Sequence, residues 1–305
     1  MKTFHLIKTN LLFFTGLLML LILLLLTFVG PFLPFVDSEL EEVQYIWTKD
    51  KIPLGPPFEP SEEFPLGSDR QGRDILSIVV MGAKETLFLV VMITIIRYVV
   101  ALPLSFLAHR NVLGARFVLN WLNGLLSYVP TIIIVVLLAM LPPIMLIETR
   151  PLFLLLIIAL VEVGRAADMI KLEFDELSSK EFMQSGISGG AKSFTLFKSY
   201  YLPFLYGKIL IYMITDLGRV MFLLGQLGFI GIFISQVLVQ VEIGYFEIVN
   251  ESTTWPALLV DSFRDIRAAV WIPFYPALAM TYTILTFNIL AQGLQNLFNR
   301  KNSYI

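Results

Sequence analysis

The chain has no cysteine and only two histidines, and just 15% of its 305 residues are charged. Without cysteine there is no disulfide framework, no thiolate metal site and no cysteine nucleophile. His5 and His109 each flank an apolar run. There they read as ordinary interfacial residues rather than a metal pair, so neither metal nor cofactor is expected. The Gly-x-x-x-x-Gly-Lys-Ser/Thr cradle for nucleotide phosphates is missing too. With a net charge of −2, nothing points to nucleic acid. Metal-dependent, histidine-dependent and cysteine-dependent hydrolysis within a membrane are therefore all disfavoured.

What the chain has in abundance is apolar sequence. Hydrophobic residues make up 57% and mean hydropathy is +0.78; an ordinary soluble domain is about 45–50% apolar and about 25% charged. A helix crossing the hydrocarbon needs about 20 mostly apolar residues. Six stretches meet that length: 11–36, 85–108, 117–140, 151–170, 207–235 and 269–298. The first has a basic lead-in, Lys2 and Lys8, but its apolar core is too long for a signal peptide and no small-x-small cleavage site follows. It reads as a retained span.

Loop charge orients these spans, because Lys and Arg accumulate on the inside. Residues 37–84 carry ten acids against five bases and read as outside. The connection 109–116 holds Arg110 and Arg116, and the stretch between spans four and five holds Lys171, Lys180, Lys192, Lys198 and Lys208. Both read as inside, as do Arg300 and Lys301. The expected fold class is all-α: a multi-pass membrane protein of six transmembrane helices with both termini cytoplasmic. Residues 1–84 are expected to form an N-terminal anchor helix plus an extracytoplasmic segment rich in proline and acid. Residues 85–305 are expected to form the main transmembrane domain, with a cytoplasmic loop at about 171–206.

That loop carries an organised pattern. It runs from Glu181 through Gln184-Ser185-Gly186 to the pair Gly189-Gly190, then through Phe194, Phe197, Tyr200 and Tyr201 to Leu202-Pro203. Glycine allows a sharp reversal and proline suits the first turn of a helix. The expected shape is a short helix, a tight turn and a second helix, lying at the membrane surface.

Charges inside spans are costly and usually face protein or water. Arg97, Asp216 and Arg219 fall in this class. Asp216 and Arg219 are three apart, so they share a helix face and are positioned to pair. Either they line a path, or they sit near the cytoplasmic leaflet, paired or snorkelling; for Arg219 the second reading is preferred. Gly218, Gly225, Gly228 and Gly231 give span five a small face suited to close helix packing.

Four motifs in order along the chain resemble the C-type permease subunits of ABC importers for dipeptides, oligopeptides and nickel. The loop is similar to that family's Glu-Ala-Ala loop, with Gln184-Ser185-Gly186 at those positions, Gly190 as the following glycine and Leu202-Pro203 as the closing pair. Its acidic position is Gln184, a departure. The outer stretch Pro65-Leu-Gly67-Ser-Asp69-Arg-Gln-Gly72-Arg73-Asp74-Ile-Leu-Ser77 resembles the family's Leu-Gly-Thr-Asp-x-x-Gly-Arg-Asp-x-Leu-Ser, and Met81-Gly82-Ala83 follows it. Gly228-Phe229-Ile230-Gly231 is similar to Ser-Phe-Leu-Gly, although Leu224 stands where many members have Glu. Trp255-Pro256 to Asp261, Trp271 to Pro276, Phe287-Asn288 and Gly293-Leu294 follow the C-terminal pattern.

The resemblance spans residue 65 to the end. It implies the type I importer permease fold in a bacterial cytoplasmic membrane, working by alternating access. It implies three kinds of partner besides membrane lipid: a homologous permease, two ABC ATPases, and an extracytoplasmic solute-binding protein. ATP hydrolysis would then belong to the partners, and the chain would be no enzyme itself. The loop would dock on the ATPase as a coupling helix, with Phe194 and Phe197 as anchors. The outer charged residues Asp69, Arg73 and Asp74 read as structural, bracing spans against the partner permease or meeting the binding protein. Nickel or another small solute is an alternative cargo, and a non-transporting scaffold an alternative role.

Overall fold

The structure, a computed structural model, describes residues 10–47, 53–145, 147, 149–242, 245–250 and 252–302. Lys2, His5, Lys8 and Glu251 lie outside these residues. Helices dominate. A leucine-rich helix α1 (Leu11–Phe28) ends at a 3-10 turn, Gly30–Phe32. Pro31 in that turn cannot continue the hydrogen-bond ladder, so α1 stops short of the residue 36 expected. A two-residue pairing of β1 (Ile46–Trp47) with β2 (Pro53–Leu54) follows.

Helix α2 (Ile75–His109) begins ten residues before the expected span and runs through the expected domain boundary at residue 84. Its early start has a local cause. Asp74 accepts hydrogen bonds from the Ser77 backbone N–H at 2.9 Å and from the Ser77 hydroxyl at 2.6 Å, an N-cap that satisfies otherwise orphaned donors.

The third and fourth expected spans are broken. Residues 117–140 form α3 (Ala115–Tyr128) and α4 (Thr131–Ala139), separated at Val129-Pro130. Proline lacks an N–H and disfavours helical backbone in the residue before it. A single turn, α5 (Pro142–Met145), comes next. Residues 151–170 divide into α6 (Arg150–Val161) and α7 (Val163–Ser178), with Glu162 as the junction. Among the described residues, four helices are long and apolar enough to cross a membrane: Leu11–Phe28, Ile75–His109, Ser193–Phe229 and Trp271–Phe298.

The loop after α7 folds into α8 (Glu181–Ser188), a turn at Gly189-Gly190, and α9 (Ser193–Thr195). A π-helical segment, Leu196–Tyr201, then leads directly into α10 (Leu202–Phe229). The expected helix, turn and helix are all present. The second helix merges with the fifth span instead of stopping before it. Beyond α10 lies an antiparallel hairpin of β3 (Gln236–Glu242) and β4 (Tyr245–Asn250), in a chain expected to be all-α. A short helix α11 (Ser262–Ala268) and a long one, α12 (Trp271–Asn302), finish the chain.

The separate motifs converge in space. Residues 253–256 pass between α2 and α10 at two glycines. A Cβ on Gly82 would lie 2.1 Å from the Thr253 carbonyl oxygen, and one on Gly228 would lie 2.1 Å from that of Pro256. Between them Trp255 is buried, its indole N–H donating to the Val79 carbonyl at 2.8 Å and its backbone N–H to Thr86 Oγ1 at 3.0 Å. Replacing Gly228→Val should cost about 1–3 kcal/mol by overpacking. Gly124→Ala, where no neighbour lies within 4 Å, should change stability by under about 1 kcal/mol. Thermal unfolding of both variants in detergent checks the contrast.

Candidate functional site

A cavity of about 460 Å³, lined by charged and apolar side chains alike, opens where the two broken helices meet α10 and α12. Pro130 and Thr131 line it from the first break and Glu162 from the second. Backbone groups freed at a helix break need other partners when they are buried. Here a network supplies them. The Thr131 hydroxyl donates to Glu162 Oε1 at 2.5 Å, joining the two breaks. Arg165, one turn into α7, pairs with Glu162 and reaches Asp216 Oδ1 at 3.3 Å.

Arg97 is the centre of this network and is 1% exposed. Its Nη1 donates to Asp216 Oδ2 at 2.7 Å. Its Nε donates to the Ala159 carbonyl at 3.1 Å and its Nη2 to the Ile158 carbonyl at 2.8 Å. Those carbonyls belong to the last turn of α6, which the break at Glu162 leaves without helical donors. A cation at a helix C-terminus also opposes the helix dipole. Arg97 thus caps a broken helix and neutralises Asp216 at once.

Asp216 pairs with Arg97 and Arg165, not with Arg219, which corrects the pairing expected from spacing. Arg219 instead lines the cavity, exposed to it. Sequence reasoning passed over Glu162, Arg165 and Asp168. The signal was there, since they interrupt the apolar run 151–170 at intervals of three. Gly228 lies outside the cavity, at the crossing with Pro256, and Gly231 adopts φ +84° just beyond α10.

The outer signature residues are tied into one knot. Asp69 accepts from the backbone N–H groups of Gln71 and Arg73, each at 2.9 Å, and pairs with the Arg73 guanidinium at 2.7 Å. Asp74 caps α2. Gly67 and Gly72 take φ of +82° and +80°, and a Cβ on Gly72 would sit 2.0 Å from the Val43 carbonyl oxygen. Arg70, not singled out from sequence, clamps Asp265 at 2.7 Å and Asp261 at 2.6 Å, joining this knot to α11.

In the loop, Glu181 opens α8, Gln184 donates to the Ser178 carbonyl at 2.9 Å, and Ser185 accepts from Gly189 N–H. Gly186 is buried against Tyr200, and Gly190 turns the chain with φ +77°. Leu202 and Pro203 form the first turn of α10. Phe194 is 73% exposed. Phe197 turns inward, its ring 5.1 Å from that of Phe106. His109, expected to be a plain interfacial residue, is a junction: Nδ1 lies 2.6 Å from Asp175 and Nε2 3.0 Å from the Tyr201 hydroxyl. Burial would raise the Asp175 carboxyl, but hydrogen bonds from Lys171 and His109 outweigh it and hold it below the usual carboxylate range.

Two outcomes follow. Asp216→Leu leaves Arg97 buried without a counter-charge and should destabilise the protein by about 3–5 kcal/mol. Adding Arg97→Met should recover the charge part but still strand the Ile158 and Ala159 carbonyls, leaving a deficit of about 1–3 kcal/mol. A double-mutant cycle on thermal unfolding reads both. Because the Asp175 pKa is depressed in the fold, its stabilisation is complete above about pH 4 and is lost as pH falls through the lower folded value. Asp175→Asn should therefore flatten the acid limb of a stability–pH profile.

No protein-family model matches the chain. It is similar to the dipeptide transport system permease protein DppC of Bacillus subtilis, at 25% identity over 97% of this chain and 83% of that protein. The oligopeptide transport system permease protein OppC of the same organism is 21% identical over 96% of this chain and 87% of its own length. The glutathione transport system permease protein GsiD of Pectobacterium atrosepticum is 21% identical over 79% of this chain and 74% of its own. The chain's curated homologues are thus permeases of dipeptide, oligopeptide and glutathione transport systems, 21–25% identical over most of its length.

Proposed function

We propose that this chain is the membrane-spanning subunit of an ABC importer taking up peptides or similar small solutes. The observation that carries this reading is the cavity at the junction of two broken helices, in a chain whose homologues are peptide permeases. Broken helices whose free backbone groups are met by charged side chains are how transporters place polar surface at membrane depth. In this reading α3–α4 and α6–α7 are the third and fourth of six crossings, and both termini are cytoplasmic. The path is completed by a homologous permease, and an extracytoplasmic binding protein delivers the solute.

ATP energy enters through the loop from α8 to the π-helical segment, which docks on one of the two cytoplasmic ATPases of the assembly. The exposed Phe194 is the anchor, since buried aromatics dominate contact energy at interfaces. Phe197 works from the other side, holding the loop to Phe106 and Phe174. Gln184 keeps the loop's own geometry by its bond to Ser178, a task that needs no carboxylate. In a reconstituted complex Phe194→Ala should weaken ATPase attachment by about 2 kcal/mol and cut binding-protein-stimulated ATP hydrolysis. Full co-purification and wild-type stimulation in that variant would remove the docking role.

A further inference from the structure

We propose, resting on the transport reading above, that the cavity receives the free carboxylate of the passing solute and that Arg219 is the group that meets it. Charge around the cavity is uneven. Three guanidiniums, those of Arg97, Arg165 and Arg219, stand beside two carboxylates, those of Glu162 and Asp216. Arg97 is fully engaged with Asp216 and the end of α6. Arg165 is held by Glu162 and Asp216. Among the described residues, no acid pairs with Arg219.

An ionised side chain in the middle of a span is expensive and ordinarily has a partner or a water-filled pathway. Arg219 sits within α10 with its exposed side in the cavity, so its field is directed at whatever enters. The walls around it carry neutral hydrogen-bonding groups. Gln226 lies seven residues on, two turns along the same face of α10, and Asn288 faces the pair from α12. Gly218 brings the α10 backbone alongside Asn288 there, a Cβ at that position lying 3.6 Å from Asn288 Nδ2.

The dimensions fit a short peptide. Seven residues of helix span about 10 Å, and an extended peptide covers about 3.3–3.6 Å per residue. A carboxylate at Arg219 therefore puts the amides of a two- or three-residue chain opposite Gln226 and Asn288. The cavity's 460 Å³ falls within the roughly 300–1,000 Å³ of small-molecule sites. A planar guanidinium matches a carboxylate through two parallel hydrogen bonds, which lysine cannot reproduce.

The test uses the complete transporter in proteoliposomes, at saturating binding protein so that capture does not limit the rate. The probe is a mixture of di-, tri- and tetra-alanine, supplied either as free acids or as C-terminal amides, with uptake read by mass spectrometry. Wild type should move free acids about tenfold or more faster than amides, the scale expected for losing a charge-assisted hydrogen bond. Arg219→Gln should lower free-acid uptake to the amide level while the subunits still co-purify. Arg219→Lys should retain part of the preference. Undiminished preference in Arg219→Gln overturns the proposal. So does loss of subunit assembly in that variant, which would make Arg219 a contact to the partner permease. A wild-type complex that assembles yet moves none of these peptides overturns the transport reading itself, and this proposal with it.

Discussion

Arg97 holds this membrane chain together because α6 ends in the middle of its expected span. When a helix stops within the bilayer, its last carbonyls lose their donors, and there is no bulk water to replace them. Arg97 supplies two of those donors and spends the remainder of its guanidinium on Asp216. The break at Glu162, the charge on Asp216 and the buried position of Arg97 therefore depend on one another. Removing any one leaves a polar group in a place built to exclude water. Thr131 and Arg165 extend the arrangement to the first break, at Pro130, and to α7. The cavity exists where these unfinished helices meet.

A second constraint acts at the end of the molecule that holds the outer signature. Residues 253–256 can pass between α2 and α10 only because Gly82 and Gly228 have no side chains there. Trp255 then fills the space above them. The Asp69–Arg73 knot, the Asp74 cap and the Arg70 clamp fix the start of α2 and tie it to α11. Charged residues in this stretch look reactive in sequence but are consumed in structure. Asp69, Arg73 and Asp74 are held by neighbours within four residues of one another, and Arg70 is held by α11 and the residue before it.

Much of this was legible in the sequence, and what was not has a physical reason. Long apolar runs mark where helices lie, and the Gly189-Gly190 pair marked the turn. The breaks at Pro130 and Glu162 escaped because hydropathy, averaged over about twenty residues, smooths across a single interruption. Asp216 and Arg97 are 119 residues apart, so only the fold brings them together, while the neighbour at three residues offered a false partner. The same local view made His109 a surface residue, because nothing in the chain nearby announces Asp175 or Tyr201.

The continuous course of Ser193–Phe229 has a mechanical consequence. Phe194, at one end, and Arg219, in the cavity, are fixed to a single rod about 38 Å apart at 1.5 Å per residue. A tilt of about 5° about one end displaces the other by about 3 Å, the length of a hydrogen bond. Any displacement of the loop end would thus reach the cavity as leverage, without a chain of intermediate contacts to carry it.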